Sequence, residues 1–246
     1  MAVVSVQFFS ESMGRQVSYS MILPDSTAGP YPVLIQLHGL GDDHNSWIHR
    51  SNITRYVADL GLAVVFPDGA SSGYLNWKAA GRLYRQRYED MIMTDITAHV
   101  KRHFNVTEGP WAIGGLSMGG YGSMRLGLKY ADRFASIWAH SSAFHIDQYV
   151  TTELMDSGGL EDSSVFRHAE ALAASGAPRP AITFDCGVDD ELIGHNRAFH
   201  EQLDRLGVEH GYAEHPGAHT WNYWDEHVQT AISRHAEVLG LERVVK

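Results

Sequence analysis

The chain has 246 residues, 44% of them hydrophobic and 20% charged, a composition that is ordinary for a globular protein. Its 29 acidic and 19 basic side chains leave a formal net charge of −10, which argues against nucleic acid or an anionic membrane as partner, because both bind basic surfaces. The lone cysteine, Cys186, excludes an internal disulfide, and no apolar run in the sequence is long enough to span a bilayer. Without a basic and apolar leader segment, we expect a cytoplasmic protein with one domain over residues 1–246.

The first third of the chain alternates β-rich and helical segments. Residues 3–9 and 16–23 are β-rich runs separated by a short polar turn, which predicts an antiparallel hairpin. Residues 31–37 and 62–66 are nearly continuous apolar runs, which are typical of strands covered on both faces. Between these two strands, residues 52–60 can form a helix.

After an irregular segment at residues 70–87, helical and strand patterns alternate. Residues 89–104 have helical spacing, with Ile92, Ile96 and Val100 on one face. Further strands are expected at residues 111–116, 134–139, 181–185 and 208–214, and further helices at residues 118–130, 165–174, 196–206 and 221–239. This alternation predicts an α/β fold with a mostly parallel central sheet and helices on both faces. Residues 140–176 are the longest excursion, and we expect them to form a short insertion over the functional site.

A serine bracketed by glycines follows the strand at residues 111–116. Gly115 and Gly119 lie two residues before and two after Ser117, the G-x-S-x-G pattern of a sharp strand-to-helix turn that exposes a serine hydroxyl. Side chains at the flanking positions would crowd such a bend, so glycine is expected there. Ser117 is therefore the candidate nucleophile, at the N-terminus of the next helix.

A serine hydroxyl needs a base, and the base needs a group that holds its tautomer. Ligands bind beyond the carboxyl ends of parallel strands, where Asp189 and Asp190 follow one strand and His215 and His219 follow the next. Serine, then acid, then histidine is the chain order of α/β-hydrolases. At this point either aspartate and either histidine could complete the site.

Several stretches together resemble the esterase D and tributyrin esterase family of α/β-hydrolases, which are relatives of S-formylglutathione hydrolase. The stretches that carry the resemblance span almost the whole chain: residues 8–10, 38–43 with Trp47, 115–122, 186–190, and 216–221 with Tyr223 and Trp224. The resemblance implies a serine carboxylesterase that forms an acyl-enzyme and needs no metal or cofactor. It also implies a small-molecule ester as substrate. The resemblance does not fix the oligomeric state, and a homo-oligomer is possible.

The resemblance implies a role for each matching residue. Ser117 corresponds to the nucleophile, His219 to the general base and Asp190 to the orienting acid, with Asp190 preferred to Asp189 because the family's acid falls three residues after the glycine at 187. The backbone N–H groups of Leu40 and Met118 correspond to the oxyanion hole, which binds the negative oxygen of the tetrahedral intermediate. Trp47 and Trp221 are candidates for contact with the substrate.

Other functions remain open beside a short-chain carboxylesterase, among them transfer of the acyl group to an alcohol other than water. A feruloyl or acetyl-carbohydrate esterase would fit the same family, and so would a thioesterase of the S-formylglutathione type, although no site for the glutathione carboxylates can be assigned. The alternative that is not an enzyme is a binding protein on a hydrolase fold. Such a protein would be expected to lack one or more of the three residues that correspond to nucleophile, base and acid.

Two features suggest other chemistry. The chain has 15 histidines, and His99 and His103 lie at i and i+4, but the residue after His99 is Val100, where a zinc-protease helix would carry glutamate. We expect surface histidines and no functional metal. Cys186 lies at a strand end without a cysteine-hydrolase signature, so we expect a buried thiol.

Overall fold

A computed structural model describes residues 1–25, 28–78, 85–146, 155 and 159–244. The strands in these ranges are β1 (Ala2–Ser10), β2 (Arg15–Leu23), β3 (Val33–Leu37), β4 (Ala63–Pro67), β5 (Asn76–Trp77), β6 (Gln86–Arg87), β7 (Trp111–Leu116), β8 (Phe134–His140), β9 (Ala181–Gly187) and β10 (Gly211–His215). The helices are α1 (Ser46–Arg50), α2 (Ile53–Tyr56), α3 (Tyr88–Asp90), α4 (Thr97–His103), α5 (Met118–Lys129), α6 (Gly159–Ser163), α7 (Val165–Ser175), α8 (Ile193–Leu206) and α9 (Trp221–Val238). A π-helical segment, Met91–Ile96, joins α3 to α4.

Eight of these strands form one sheet in the order β1-β2-β4-β3-β7-β8-β9-β10. The β1–β2 and β2–β4 pairs are antiparallel, and all pairs from β4 to β10 are parallel. The predicted α/β-hydrolase architecture, a mostly parallel sheet with an opening hairpin, is therefore confirmed. A separate antiparallel pair, β5–β6, lies in the segment expected to be irregular.

Each face of the sheet has its own apolar core, because successive side chains of a strand point to opposite faces. Leu34 of β3 and Ala112 of β7 contribute to a core shared with α1, α2 and α9, whereas Ile35 and Ile113 contribute to a core shared with α4, α5, α7 and α8. Strands buried on both faces explain why β3, β4 and β7 have almost no polar side chains.

Three helical segments differ from the expectation. The helix expected at residues 52–60 is only α2, with four residues, and α1 forms before it, where no helix is expected from the sequence. The helix expected at residues 89–104 exists but contains the π-helical segment. At the start of α4, directly after this segment, the Thr97 hydroxyl donates to the carbonyl of Ile92, five residues back.

The described part of the 140–176 insertion consists mainly of α6 and α7. α7 packs on α5 and α8, beside the sheet. The expectation that the insertion covers the site falls largely on residues 147–154 and 156–158, which lie outside the described residues. None of the helices in the described ranges is both long enough and apolar enough to cross a bilayer.

Candidate active site

The strand order reverses between β3 and β7. The chain runs from β3 outward to β4 and then returns to β7 on the other side of β3. In an open parallel sheet the crevice at such a point, beyond the carboxyl ends of the strands, is where ligands bind. His38 to Leu40 follow β3 there, and Ser117 follows β7.

The turn between β7 and α5 holds Ser117 in a strained backbone conformation. Its φ of 53° and ψ of −114° lie where a residue with a Cβ is rarely found. A Cβ at Gly115 would lie 2.4 Å from the carbonyl oxygen of Gly119, and a Cβ at Gly119 would lie 2.5 Å from the carbonyl oxygens of Leu37 and His38. The two glycines thus permit the turn and bring α5 against β3.

The loops after β9 and β10 bring an acid and a histidine to this turn. His219 Nε2 lies 3.0 Å from Ser117 Oγ, and His219 Nδ1 lies 2.8 Å from Asp190 Oδ2. The three side chains therefore form one hydrogen-bonded line, in which a proton on Nδ1 is donated to the carboxylate and Nε2 faces the hydroxyl. The sequence-predicted nucleophile, base and acid are all at this place.

The two neighbouring aspartates have different environments. The Asp190 side chain is fully buried, whereas Asp189 is exposed to solvent. Burial acts to raise the pKa of the Asp190 carboxyl, but hydrogen bonds from His219 and from the Leu192 N–H outweigh it, so the pKa lies below its ordinary value. Asp190 is thus held as a carboxylate next to the imidazole.

His38 fixes the peptide group that precedes Leu40. Its Nε2 accepts a hydrogen bond from the Gly69 N–H (2.9 Å), so the ring proton is on Nδ1, which donates to the carbonyl of Gly39 (2.8 Å). Burial lowers the pKa of His38, which keeps the ring neutral. Because C=O and N–H point in opposite directions across a trans peptide, holding the Gly39 carbonyl also sets the direction of the Leu40 N–H.

A pocket of about 600 Å³ opens above Ser117 and His219. Its lining residues are Gly39, Leu40, Asp42, Arg50, Leu116, Ser117, Glu191, Leu192, His219, Thr220, Trp221 and Trp224. The Arg50 guanidinium lies 5.2 Å from the ring centre of Trp221 and 3.2 Å from Asp42 Oδ1, so it is held at the pocket by a cation–π contact and an ion pair. The pocket thus combines an indole wall with charged groups.

A buried carboxylate holds together the elements next to the loop that carries His219. Asp185 on β9 accepts hydrogen bonds from Trp138 Nε1 (2.6 Å) and from the Tyr223 hydroxyl (2.8 Å), and His140 Nδ1 lies 2.7 Å from it. Burial acts to raise the Asp185 pKa, but the charge of His140 and these hydrogen bonds hold it below its ordinary value. The carboxylate ties β8, β9 and α9 together beneath the loop that carries His219.

The other sequence candidates lie elsewhere. The indole of Trp47 is 1% exposed, donates to the carbonyl of Leu37 and packs against Trp221, and Trp47 is not among the residues that line the pocket. His215 stacks on His227, with ring centres 4.2 Å apart. Cys186 is buried, and burial raises the pKa of its thiol.

Sequence reasoning did not identify Arg50, Glu191 or Leu192 as pocket residues. Glu191 and Leu192 directly follow Asp190, so their place beside the predicted acid was an available signal. Arg50 has no local signal, because its position depends on how α1 packs against Trp221.

Comparison with known proteins identifies the family. The Esterase family model, described as "Putative esterase", matches residues 10–235. An acetyl esterase of Caldicellulosiruptor saccharolyticus is 26% identical over 262 residues, covering 94% of this chain and 97% of the relative. FphF, a fluorophosphonate-binding serine hydrolase of Staphylococcus aureus, has a TM-score of 0.84 at 26% identity, covering 95% of this chain and 98% of its own. FrmB, an S-formylglutathione hydrolase of the same species, has a TM-score of 0.80 at 26% identity, with the same coverage.

The fold and these relatives define a serine hydrolase of the α/β-hydrolase fold that cleaves carboxylic esters. The family model covers most of the chain's length, and the chain belongs to the Esterase family. The resemblance to esterase D-like enzymes is thereby confirmed.

Proposed function

We propose that the protein hydrolyses short-chain acyl esters with Ser117 as nucleophile, His219 as general base and Asp190 as the acid that orients His219. The observation that supports this proposal is the hydrogen-bonded line from Asp190 Oδ2 through both ring nitrogens of His219 to Ser117 Oγ, with distances of 2.8 and 3.0 Å.

The reaction has two steps. His219 Nε2 takes the hydroxyl proton while Ser117 Oγ attacks the ester carbonyl, and the tetrahedral intermediate then expels the alcohol, which receives that proton. Water, deprotonated by His219, attacks the acyl-enzyme, and collapse of the second intermediate releases the carboxylic acid and restores Ser117.

The negative oxygen of each intermediate would be held by the backbone N–H groups of Leu40 and Met118. Met118 is the first residue of α5, so its N–H has no acceptor within the helix and lies at the positive end of the helix dipole. The Gly39 peptide approaches the nucleophile closely, since a Cβ on Gly39 would lie 3.7 Å from the Cβ of Ser117. Two donors of this kind usually make a large contribution to the rate.

A short acyl group is favoured because a similar protein is an acetyl esterase, and acetyl is one of the smallest acyl groups. We also infer from the net charge of −10 and the single buried cysteine that the protein acts on small molecules in the cytoplasm, without a nucleic-acid partner. One sheet that includes strands from β1 to β10 supports the treatment of residues 1–246 as one domain.

The experiment compares matched variants on p-nitrophenyl acetate. Ser117→Ala should lower kcat by about 10⁴-fold or more, and Asp190→Asn by about 10³-fold or more, because the amide no longer holds the correct imidazole tautomer. Asp189→Asn is the matched control, since its exposed carboxylate lies next in sequence and should leave kcat within about threefold of wild type. A fluorophosphonate probe should label the wild type and not Ser117→Ala.

A panel of p-nitrophenyl esters of increasing length, with methyl ferulate, acetylated xylose and S-formylglutathione, tests the substrate class. The highest kcat/KM is expected for acetate or butyrate. A preference of about tenfold or more for another substrate would replace the proposed substrate, whereas full activity of Ser117→Ala would overturn the proposed mechanism itself.

A further inference from the structure

A cluster of two histidines and one aspartate lies at the opposite end of β10 from the candidate active site. His200 and Asp204 are one turn apart on α8, and His210 precedes β10. One potential ligand atom from each residue lies within 4.8 Å of the other two. β10 has five residues and is therefore about 16 Å long at roughly 3.3 Å per residue, and His219 follows its far end.

The orientation of His210 is fixed by its surroundings. Its Nδ1 lies 2.8 Å from the carbonyl of Val208, so Nδ1 carries the proton and Nε2 presents a lone pair to the cluster. The side chain is only 4% exposed, and its ring stacks on Phe184. A histidine whose second nitrogen donates to a backbone carbonyl is the usual arrangement of a metal-ligating histidine.

His200 presents a nitrogen to the same point. Its Nδ1 lies 2.8 Å from His210 Nε2, and its ring stacks on Tyr212. The lone pair of His210 therefore faces a nitrogen of His200 with room for one proton between them, and a metal ion can replace that proton. Asp204 adds negative charge, with Oδ1 4.0 Å from His210 Nε2 and Oδ2 3.6 Å from His200 Nε2.

We propose that His200, Asp204 and His210 bind one Zn²⁺ ion at a site that takes no part in ester hydrolysis. Two imidazoles and a carboxylate are ligands that suit zinc, and a water molecule would complete a tetrahedron. Bonds of 2.0–2.2 Å place tetrahedral ligand atoms roughly 3.4 Å apart. The more exposed side chains of His200 and Asp204 reach this spacing by rotation around the fixed His210. The His200 proton moves from Nδ1 to Nε2, so that Nδ1 of a neutral imidazole can bind the ion.

The ion would tie α8 to the segment that leads into β10. This segment turns back after α8, where Val208 N–H donates to the carbonyl of Leu203. A metal bound only by the folded chain stabilises it by mass action. Zinc should therefore raise the melting temperature without changing the ester-cleaving reaction.

The test measures Zn²⁺ binding to the full chain by isothermal titration calorimetry after removal of metal with a chelator. Wild type should bind one Zn²⁺ per chain, and His200→Gln and Asp204→Asn should each weaken binding at least tenfold. His103→Gln is the control, since it removes an exposed histidine from another helix, and it should bind Zn²⁺ as wild type does. The two cluster side chains are partly exposed, so their replacement should leave the far-ultraviolet circular dichroism unchanged.

Two further measurements report on the ligands. Co²⁺ should give the visible absorption of a tetrahedral ion in wild type and not in His200→Gln, and Zn²⁺ should raise Tm only where the cluster is intact. Absence of Zn²⁺ binding in wild type would overturn the proposal. Equal binding in wild type, His200→Gln and Asp204→Asn would also overturn it, as would equal loss in the His103→Gln control.

Discussion

His38 shows how a residue outside the proposed triad can control the chemistry. Its neutral ring accepts from the Gly69 N–H and donates to the Gly39 carbonyl, so it links the loop after β4 to the loop after β3. The Leu40 N–H lies in the peptide group that this ring holds. The direction of one proposed oxyanion donor thus depends on the tautomer of His38.

Replacement of His38 by Gln and by Asn should distinguish the effect of the hydrogen bond to Gly39 from that of the hydrogen bond from Gly69. The amide nitrogen of Asn can take the place of the imidazole Nδ1 and keep the donation to Gly39, whereas Gln lacks a donor there. His38→Gln should lower kcat for p-nitrophenyl acetate by about 10- to 100-fold with little change in KM, because the lost alignment matters mainly in the transition state. His38→Asn should retain most of kcat.

Thermal melting of both variants provides the control for this comparison. If His38→Asn and His38→Gln lose kcat and Tm to the same extent, the ring has a purely structural role and the argument for Leu40 alignment is wrong.

At the scale of the element, α5 and β3 are brought together by Gly119. A Cβ at this position would lie 2.5 Å from the carbonyl oxygens of Leu37 and His38, so an added methyl group must push α5 away from the end of β3. Gly119→Ala should therefore destabilise the fold by about 1–3 kcal/mol, the usual cost of overpacking. It should also lower kcat/KM, because α5 carries the Met118 N–H.

Gly194→Ala in α8 is the matched helical control. A Cβ there meets nothing within 4 Å, and alanine favours the helix over glycine, so stability should be unchanged or higher by up to about 1 kcal/mol. Urea unfolding measures both variants. Equal stability of Gly119→Ala and wild type would contradict the close approach of α5 to β3.

The elements predicted most accurately from the sequence were those with a repeated local pattern. β3, β4 and β7 are continuous apolar runs, and α5 and α9 have long amphipathic or buried periods, so their bounds lie within two residues of the expectation. α1 and α2 have four or five residues each, too few for periodicity to define them. β10 begins three residues later than expected, at Gly211, because the preceding residues Val208 to His210 bond to one another and to α8.

The residues of the candidate site also differ in how far the sequence could predict them. Ser117 was accessible from its glycine motif, and the strand ends limited the acid and the base to two aspartates and two histidines. The family resemblance then pointed to Asp190 and His219. Asp185 and Arg50 were not accessible, since the partners of Asp185 lie 38 or more residues away and the place of Arg50 depends on a ring 171 positions distant. Contacts of this kind are created by tertiary packing and leave no local pattern.

At the scale of the whole molecule, a neutral histidine is enclosed between the sheet and α9. His235 of α9 is 1% exposed and lies against Ser136 of β8, with Nδ1 2.8 Å from the hydroxyl. Burial, together with the charge of the nearby His140, lowers the pKa of His235 to about 3. Stability should therefore depend on pH in the acid range.

The sign follows from proton uptake. In the unfolded chain His235 would titrate near its ordinary value of about 6.5, so between about pH 3 and 6.5 the unfolded state binds a proton that the folded state does not. The free energy of unfolding must then fall as pH is lowered through this window, with about 2 kcal/mol lost between pH 6 and 4 from this residue.

Urea unfolding at half-unit pH steps gives the slope for wild type and for His235→Gln. The variant should be less stable at pH 7 but should show a shallower slope by about one proton, while His49→Gln, an exposed replacement, should keep the wild-type slope. Parallel curves for wild type and His235→Gln would show that His235 takes up its proton equally in both states, and that the buried ring is not neutral.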